Sequence, residues 1–321
     1  MKEYGGYIEL DTYHLSMLHE KAIALNSGRN ALAYLIEAKK IRKLAIPYFL
    51  CDSVSNLCKR ESVDFRYYHI GIDFRPEDVV LAENEWLYIV NFYGQLSQDF
   101  LMSLKIKYER VIIDNAQAYY SMPLENTDTL YTCRKFFGVA DGAFLYSDSN
   151  IERVMPVDES FDRMHFLLGR YERTASEFYS EYSANNHLFA DEPIKRMSKL
   201  TANLLHGIDY DFVKIRRTEN YKFYHEKLKE INQLDLRVIE GAFAYPLLIE
   251  NGTTVRKKLQ ARKVYIPMLW PNVLNEVSDE FLEFSLAENI LPLPCDQRYI
   301  ESDIEYIINI IIGEMNNEYQ G

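Results

Sequence analysis

The sequence predicts an α/β protein, a mostly parallel sheet with helices on both faces followed by a smaller C-terminal α+β domain. Over the first 150 residues, short apolar runs that read as strands buried on both faces alternate with helix-like stretches. Strand candidates then thin out, and residues 161–232 are rich in Glu, Arg, Lys and Tyr with helical periodicity, as helices that bridge domains or form a dimer surface would be. The chain closes on a helix whose Ile304, Ile307, Ile308 and Ile311 fall at i, i+3, i+4 and i+7. At 321 residues it exceeds a typical single domain, and the expected division is residues 1–210 and 211–321.

Taken in order, residues 12–25 put Leu15, Leu18, Ala22 and Leu25 on one helical face, which predicts an amphipathic helix. Ser27-Gly28 punctuates, and residues 30–40 read as a second helix. Leu44-Ala45-Ile46-Pro47 is a short buried strand stopped by proline. Residues 86–92, 110–114 and 130–133 are three more buried strands, with a helix expected over 97–108 and a further strand over 142–146. The Tyr-rich run 171–182 reads as helix packing, and 242–249 with 263–267 forms a shorter mixed segment. There is no internal repeat, low-complexity tract or heptad run.

Composition bounds the function. Forty-eight per cent hydrophobic residues, with 25 Tyr and 17 Phe, fill a core and exclude disorder as the main state. Thirty-six basic against 48 acidic side chains give a net charge of -12, which argues against nucleic acid or an anionic membrane as partner. A phosphorylated ligand, needing only a few local donors, stays open. Cys51, Cys58, Cys133 and Cys295 are scattered without a C-x-x-C, so neither a disulfide framework nor a zinc site is indicated. The start, MKEYGGYIEL, lacks the features of a signal peptide, and the apolar run 306–312 is too short to span a bilayer. The expected location is the cytoplasm. The histidines show no metal-binding spacing, so no metal is expected, and neither G-x-G-x-x-G nor a Walker A sequence occurs.

Four short segments can carry chemistry. Asn26-Ser27-Gly28-Arg29-Asn30-Ala31-Leu32 sets a glycine where a helix begins, and the outward N–H groups there suit an anion as well as an ordinary cap. Val111-Ile112-Ile113-Asp114 ends a buried strand on an acid, where open α/β sheets bind ligands. A carboxylate there can pair with a protonated ring nitrogen, or can simply cap the next helix. Leu130-Tyr131-Thr132-Cys133-Arg134-Lys135-Phe136-Phe137-Gly138 presents a lysine at a strand end, and desolvation together with Arg134 should lower its pKa and make it a better nucleophile. Val90-Asn91-Phe92-Tyr93-Gly94-Gln95 is a further strand end, which alone is a turn.

In this order and spacing the segments resemble the DegT/DnrJ/EryC1/StrS family of sugar aminotransferases, enzymes of fold type I that use pyridoxal 5'-phosphate (PLP). The family's S-G-T-x-A-L turn is similar to Ser27-Gly28-Arg29-Asn30-Ala31-Leu32, its V-P-S-x-T-F/W segment to Ile46-Pro47-Tyr48-Phe49-Leu50-Cys51, and its L-Y-G to Phe92-Tyr93-Gly94. D-x-A-Q stands as Asp114-Asn115-Ala116-Gln117, and the lysine followed seven residues later by glycine is Lys135 with Gly142. Leu291-Pro292-Leu293-Pro294, then Asp303 and Tyr306, resembles the closing L-P-L-x-P and D-x-x-Y pattern. The likeness runs from about residue 20 to 312 and is thinnest over 150–260.

The resemblance implies that Lys135 holds PLP through its amine and moves protons during transamination. It implies that Asp114 pairs with the pyridinium nitrogen, that Gln117 lies near the phenolic oxygen, and that Gly28 and Arg29 amides hold the phosphate. It further implies a homodimer with shared active sites, to which Asn186 and His187 are candidate contributions, a keto-sugar nucleotide as substrate, and glutamate as amino donor, in surface-polysaccharide or secondary metabolism. Three residues depart from the pattern. Arg29 replaces a Thr, Cys51 replaces the aromatic residue that stacks on the ring, and Leu130 replaces a phosphate-binding Ser. Tyr48 or Phe49 could supply the stacking, and Thr132, three residues before Lys135, could supply the hydroxyl. Two alternatives remain at this point: another PLP-dependent reaction, and a fold relative that serves as a binding or scaffold protein without transamination.

Overall fold

The computed structural model describes residues 4–318. Its main sheet begins with β1 (Ile23–Leu25), and α1 (Gly28–Lys39) leads to β2 (Lys43–Pro47). Then come α2 (Asp52–Arg60), β3 (Asp64–Tyr68), β4 (Glu85–Val90), α3 (Gln98–Tyr108), β5 (Val111–Asp114), β6 (Asp128–Thr132) and β7 (Ala143–Tyr146). The strand order is β1-β7-β6-β5-β4-β2-β3; β3, β2, β4, β5 and β6 run parallel, and β7 is antiparallel to both its neighbours, β6 and β1, so that β1 points the same way as the parallel set. β2, β4 and β5 are apolar almost throughout because helices cover both faces, and β6, although it mixes Asp128, Thr129 and Thr132 with Leu130 and Tyr131, is buried nearly as fully.

A helical stretch follows, with α4 (His165–Glu172), α5 (Tyr179–Leu188), α6 (Lys199–Leu205) and α7 (Tyr210–Leu228). Next are β8 (Ala244–Leu248), α8 (Gly252–Ala261), α9 (Val273–Glu276), α10 (Leu282–Asn289), β9 (Ile290–Pro294) and α11 (Glu301–Glu318). β8 and β9 form a separate antiparallel pair against which α7, α8 and α10 pack. α11 buries Ile304, Ile307, Ile308 and Ile311, the stripe its period predicts, and packs on α7 and α8.

Ser27 caps α1 by accepting the Asn30 N–H at 3.2 Å, and Lys40 ends it in the left-handed conformation. Residues 30–36 of α1 are all buried against β6 and β7.

Three expectations are corrected. Residues 12–25 form no helix: an irregular stretch and a turn lead into β1, whose ladder pairs Leu25 with Ala143. Burial does not follow the helical stripe: Leu25 is fully buried, Leu18 and Ala22 are partly so and Leu15 is 52% exposed, while His19, off the stripe, is fully enclosed. Hydrogen bonds to α6 hold the segment extended instead, Leu15 N–H to the His206 carbonyl at 2.9 Å and Tyr13 N–H to Asn203 Oδ1 at 2.9 Å. The tyrosines of 171–182 pack helices together only at one point, where Tyr182 of α5 meets the Phe166 ring of α4 at 5.9 Å, and Tyr171, Tyr179 and Tyr182 all stay exposed. Residues 264–268 have no regular structure. Among the described residues no helix is long and apolar enough to cross a membrane.

Candidate functional site

The chain leaves β2 toward β3 on one side and resumes at β4 on the other, so the strand order reverses between β2 and β4. A crevice at the carboxyl ends of the strands is expected at such a point. Cys51 follows β2, the turn at Asn91, Tyr93 and Gly94 follows β4, Asp114 ends β5, and Lys135 lies just beyond β6.

Asp114 is buried, with both oxygens engaged. Tyr88 O–H donates to Oδ2 at 2.6 Å and Ala116 N–H to Oδ1 at 2.7 Å. Burial raises its pKa, against the opposing pull of Lys135 and of the two hydrogen bonds. Gln117 accepts the Tyr93 N–H on Oε1 at 2.9 Å, which fixes a left-handed Tyr93 (φ 52°) and orients the amide. Its Nε2 is then a buried donor with no partner among the described residues.

Lys135 sits deep among protein atoms but keeps an exposed side chain, as a residue lining an open crevice does. Burial lowers its pKa and Arg134 adds to this; Asp114 opposes most strongly, then Cys51. Its Nζ is 5.5 Å from the Phe243 ring centroid, on the segment leading into β8. The loop carrying it is closed on itself by Phe136 and Phe137 N–H bonds to the Cys133 carbonyl and by Cys133 N–H to Gly142 O. Gly142 has φ +115°, and a Cβ there would meet Thr201 at 3.1 Å and Cys133 at 3.2 Å, so this position needs glycine. Behind the loop, Arg217 donates to the Phe136 carbonyl at 3.1 Å and to that of Ala242 at 2.9 Å.

At the start of α1, the Ser27 hydroxyl takes the Asn30 N–H and its carbonyl the Ala31 N–H, leaving those of Gly28 and Arg29 at the helix end. A Cβ on Gly28 would lie 3.9 Å from Thr132 Cβ, so the turn and the end of β6 face each other. Leu130 is buried in β6. Arg29 Nη1 donates to the Asn186 carbonyl at 3.2 Å and Arg134 to Asn186 Oδ1, so Asn186 meets both arginines of its own chain, while His187 is exposed.

Cys51 is half-buried. Neither proposed substitute for an aromatic there is free to stack on a ring in the crevice. Tyr48 stacks on Tyr67 at 4.6 Å, and Phe49 is enclosed edge-on against Trp270 at 4.5 Å. A cavity of about 520 Å³ beside β3, lined by Arg66, His69, Phe281 and Glu283 among others, includes none of the candidate residues. Among the described residues no group of three or more His, Cys, Asp or Glu side chains is placed to hold a metal. Sequence reasoning missed Tyr88, the Arg134–Asn186 contact and Phe243. Only Tyr88 had a signal: it lies on a predicted strand, two residues before Val90, which pairs with Asp114.

No protein-family model matches the sequence, and no curated protein matches it. Solved structures do. The sugar aminotransferase CalS13 from Micromonospora echinospora superposes with a TM-score of 0.63 over 91% of this chain and 87% of its own, at 13% identity. A DegT DnrJ EryC1 StrS aminotransferase from Brucella abortus gives 0.60 over 91% and 85%, at 15% identity. The PLP form of Spr1654 from Streptococcus pneumoniae gives 0.61 over 91% and 87%, at 14% identity. The chain has the sugar-aminotransferase fold. At such identities the arrangement of sheet and helices is what is shared, so the aminotransferase fold locates the crevice and leaves each residue in it to be judged on its own contacts. Asp114 and Cys51 both act on Lys135 there; Gly28 and Thr132 face each other, and Arg29 and Arg134 meet at Asn186.

Proposed function

We propose that this protein is a PLP-dependent aminotransferase that moves an amino group from glutamate to a keto-sugar nucleotide or a related keto compound. The relation between Asp114 and Lys135 carries this reading. Each is the other's main favourable charge, yet no ion pair closes between them. A buried acid and an amine lining the crevice that attract without meeting suit a cationic ring between them. The residues present fit PLP: the unpartnered Nε2 of Gln117 suits its phenolic oxygen, and the Gly28–Thr132 approach suits its phosphate.

In this reading Asp114 keeps the ring nitrogen protonated, Gly28, Arg29 and Thr132 hold the phosphate, and Cys51 borders the ring. When bound, PLP supplies the electron sink that stabilises negative charge at the reacting carbon. Lys135, its pKa lowered by burial, holds the cofactor and afterwards carries the proton at Nζ.

The protein acts as a homodimer in the cytoplasm, with residues 1–210 as the PLP-binding domain and 211–321 as the small domain. Support for the dimer comes from Phe161, Leu168, Tyr171, Tyr179 and Tyr182, exposed apolar side chains on and beside α4 and α5.

The test is the visible spectrum of the purified protein with PLP, repeated for Lys135→Ala and followed by glutamate. A cofactor band that borohydride fixes to Lys135, and that glutamate converts to the pyridoxamine form, is expected. No band in the wild type with excess PLP overturns the enzyme assignment.

A further inference from the structure

Two arginines beside the crevice residues, Arg29 and Arg134, form no ion pair among the described residues. Arg134 lies over the Phe189 ring at 4.8 Å, and Arg163 lies over the same ring at 5.5 Å. Arg163 is paired with Asp158 at 2.8 Å. Arg29 and Arg134 have no carboxylate within ion-pair distance among the described residues, and both rest on Asn186, one on its main-chain oxygen and one on its side-chain oxygen. An amide fixes a guanidinium without discharging it, whereas an aspartate at this position would cancel one of the two charges. Burial, with help from Arg29 and Arg163 and against Tyr182 and Asp141, brings the Arg134 pKa down to about 10, so it stays charged at neutral pH.

The surroundings of this pair are those of an anion site. Arg29 is the second residue of α1, whose first amides are free of intrahelical partners. Thr132 faces Gly28 across the turn, and Arg134 follows Thr132 by two residues. Leu130 is enclosed in the sheet and offers no donor. A dianion with several acceptor oxygens matches two guanidiniums, two amides and a hydroxyl better than a singly charged carboxylate does.

We propose that Arg134, held with Arg29 by Asn186, is a second cationic ligand of the PLP phosphate and supplies the binding that Leu130 cannot. This rests on the cofactor assignment above. Asn186 is the positioning residue of the pair.

The experiment compares PLP with pyridoxal, which has the same ring and aldehyde without the phosphate, as titrants of wild type, Arg134→Gln and Asn186→Leu, each followed by its visible band. Arg134→Gln is expected to weaken PLP about 10- to 100-fold and to leave pyridoxal unchanged, so that the preference for PLP collapses. Asn186→Leu should lower the same preference by a smaller factor. Because Arg134 also acts on the Lys135 amine, a variant that weakens PLP and pyridoxal equally assigns Arg134 to the amine alone and overturns the proposal. An unchanged PLP titration overturns it as well. UDP, added as a competitor, separates the remaining source of phosphate: protection of the wild-type but not the Arg134→Gln site, with the PLP preference intact, assigns the arginines to a nucleotide diphosphate and sinks the proposal. No band in the wild type defeats the cofactor assignment itself, which is a different failure. A melting curve for each variant confirms that it is folded.

Discussion

Tyr88 donates its phenolic hydrogen to Asp114 Oδ2 at 2.6 Å across two neighbouring strands of the main sheet, with both residues buried. Val90 is the register partner of Asp114, so Tyr88, two residues earlier on the same face of β4, is its diagonal neighbour. The bond favours the ionised carboxylate, while burial favours the neutral one. Tyr88→Phe removes a hydrogen bond to a group that must carry charge, at a cost of about 2 kcal/mol. Urea unfolding should show that loss, and PLP should bind more weakly than to the wild type.

Asp114→Asn separates stability from chemistry. The amide oxygen can keep the Ala116 N–H, and the tyrosine hydroxyl can turn to accept from the new NH₂. Removing a buried charge with no ion-pair partner costs the fold little or stabilises it. Transamination depends on that charge in the proposed role, and its loss should slow the glutamate half-reaction by about 10²–10³-fold, the scale for removing one preorganised electrostatic contact. Stopped-flow spectra of the cofactor band measure the rate, and a near-wild-type rate removes Asp114 from the ring nitrogen.

Gly142 supports the lysine loop from behind. Its φ of +115° and the nearness of Cys133 and Thr201 leave no place for a methyl group. Gly142→Ala should destabilise the protein by about 1–3 kcal/mol, the usual cost of a strained backbone position. Because Cys133 bonds to the Gly142 carbonyl, the strain should spread into the Lys135 loop and lower the rate of cofactor capture. The urea midpoint and the PLP association rate are the two measurements.

How much of this was legible in the sequence follows from what each element depends on. β2, β4 and β5 were legible because burial on both faces leaves an apolar run that needs no knowledge of neighbours, and β6 through the buried Leu130 and Tyr131 near its end. Asp114, Gln117 and Lys135 were legible because they close such runs or follow them in order. β1 was not: Ile23–Leu25 is a strand only because β7 offers it a ladder, and the helical spacing around it was coincidental. β3 was missed for a similar reason, since this edge strand alternates exposed and half-buried residues, with only Tyr68 buried, too briefly to signal itself. The Arg134–Asn186 contact joins residues 52 positions apart, through a helix whose placement the sequence does not give. The exposed tyrosines of 171–182 misled because aromatic content predicts burial in one chain and is equally suited to a surface that a second chain covers.

His19 gives the last prediction, on pH. It is fully enclosed, with one ring nitrogen 2.8 Å from the Tyr119 carbonyl, the other 3.1 Å from the Tyr146 hydroxyl, and the Tyr131 ring 4.1 Å away. Burial outweighs the bond to the carbonyl and lowers its pKa from 6.5 to about 4. A histidine depressed in the folded state binds its proton more readily once the chain unfolds. The stability it lends is therefore complete above pH 6.5 and is lost as pH falls from there toward 4. Between pH 6.5 and 5 that loss amounts to about 1.5 kcal/mol, in a range where few carboxylates have begun to titrate. Urea unfolding at the two pH values should show it in the wild type, and His19→Gln, neutral throughout, should lower stability at both values while flattening the difference. An equal pH slope in the variant would mean that other groups cause the acid sensitivity and that His19 is protonated inside its aromatic pocket.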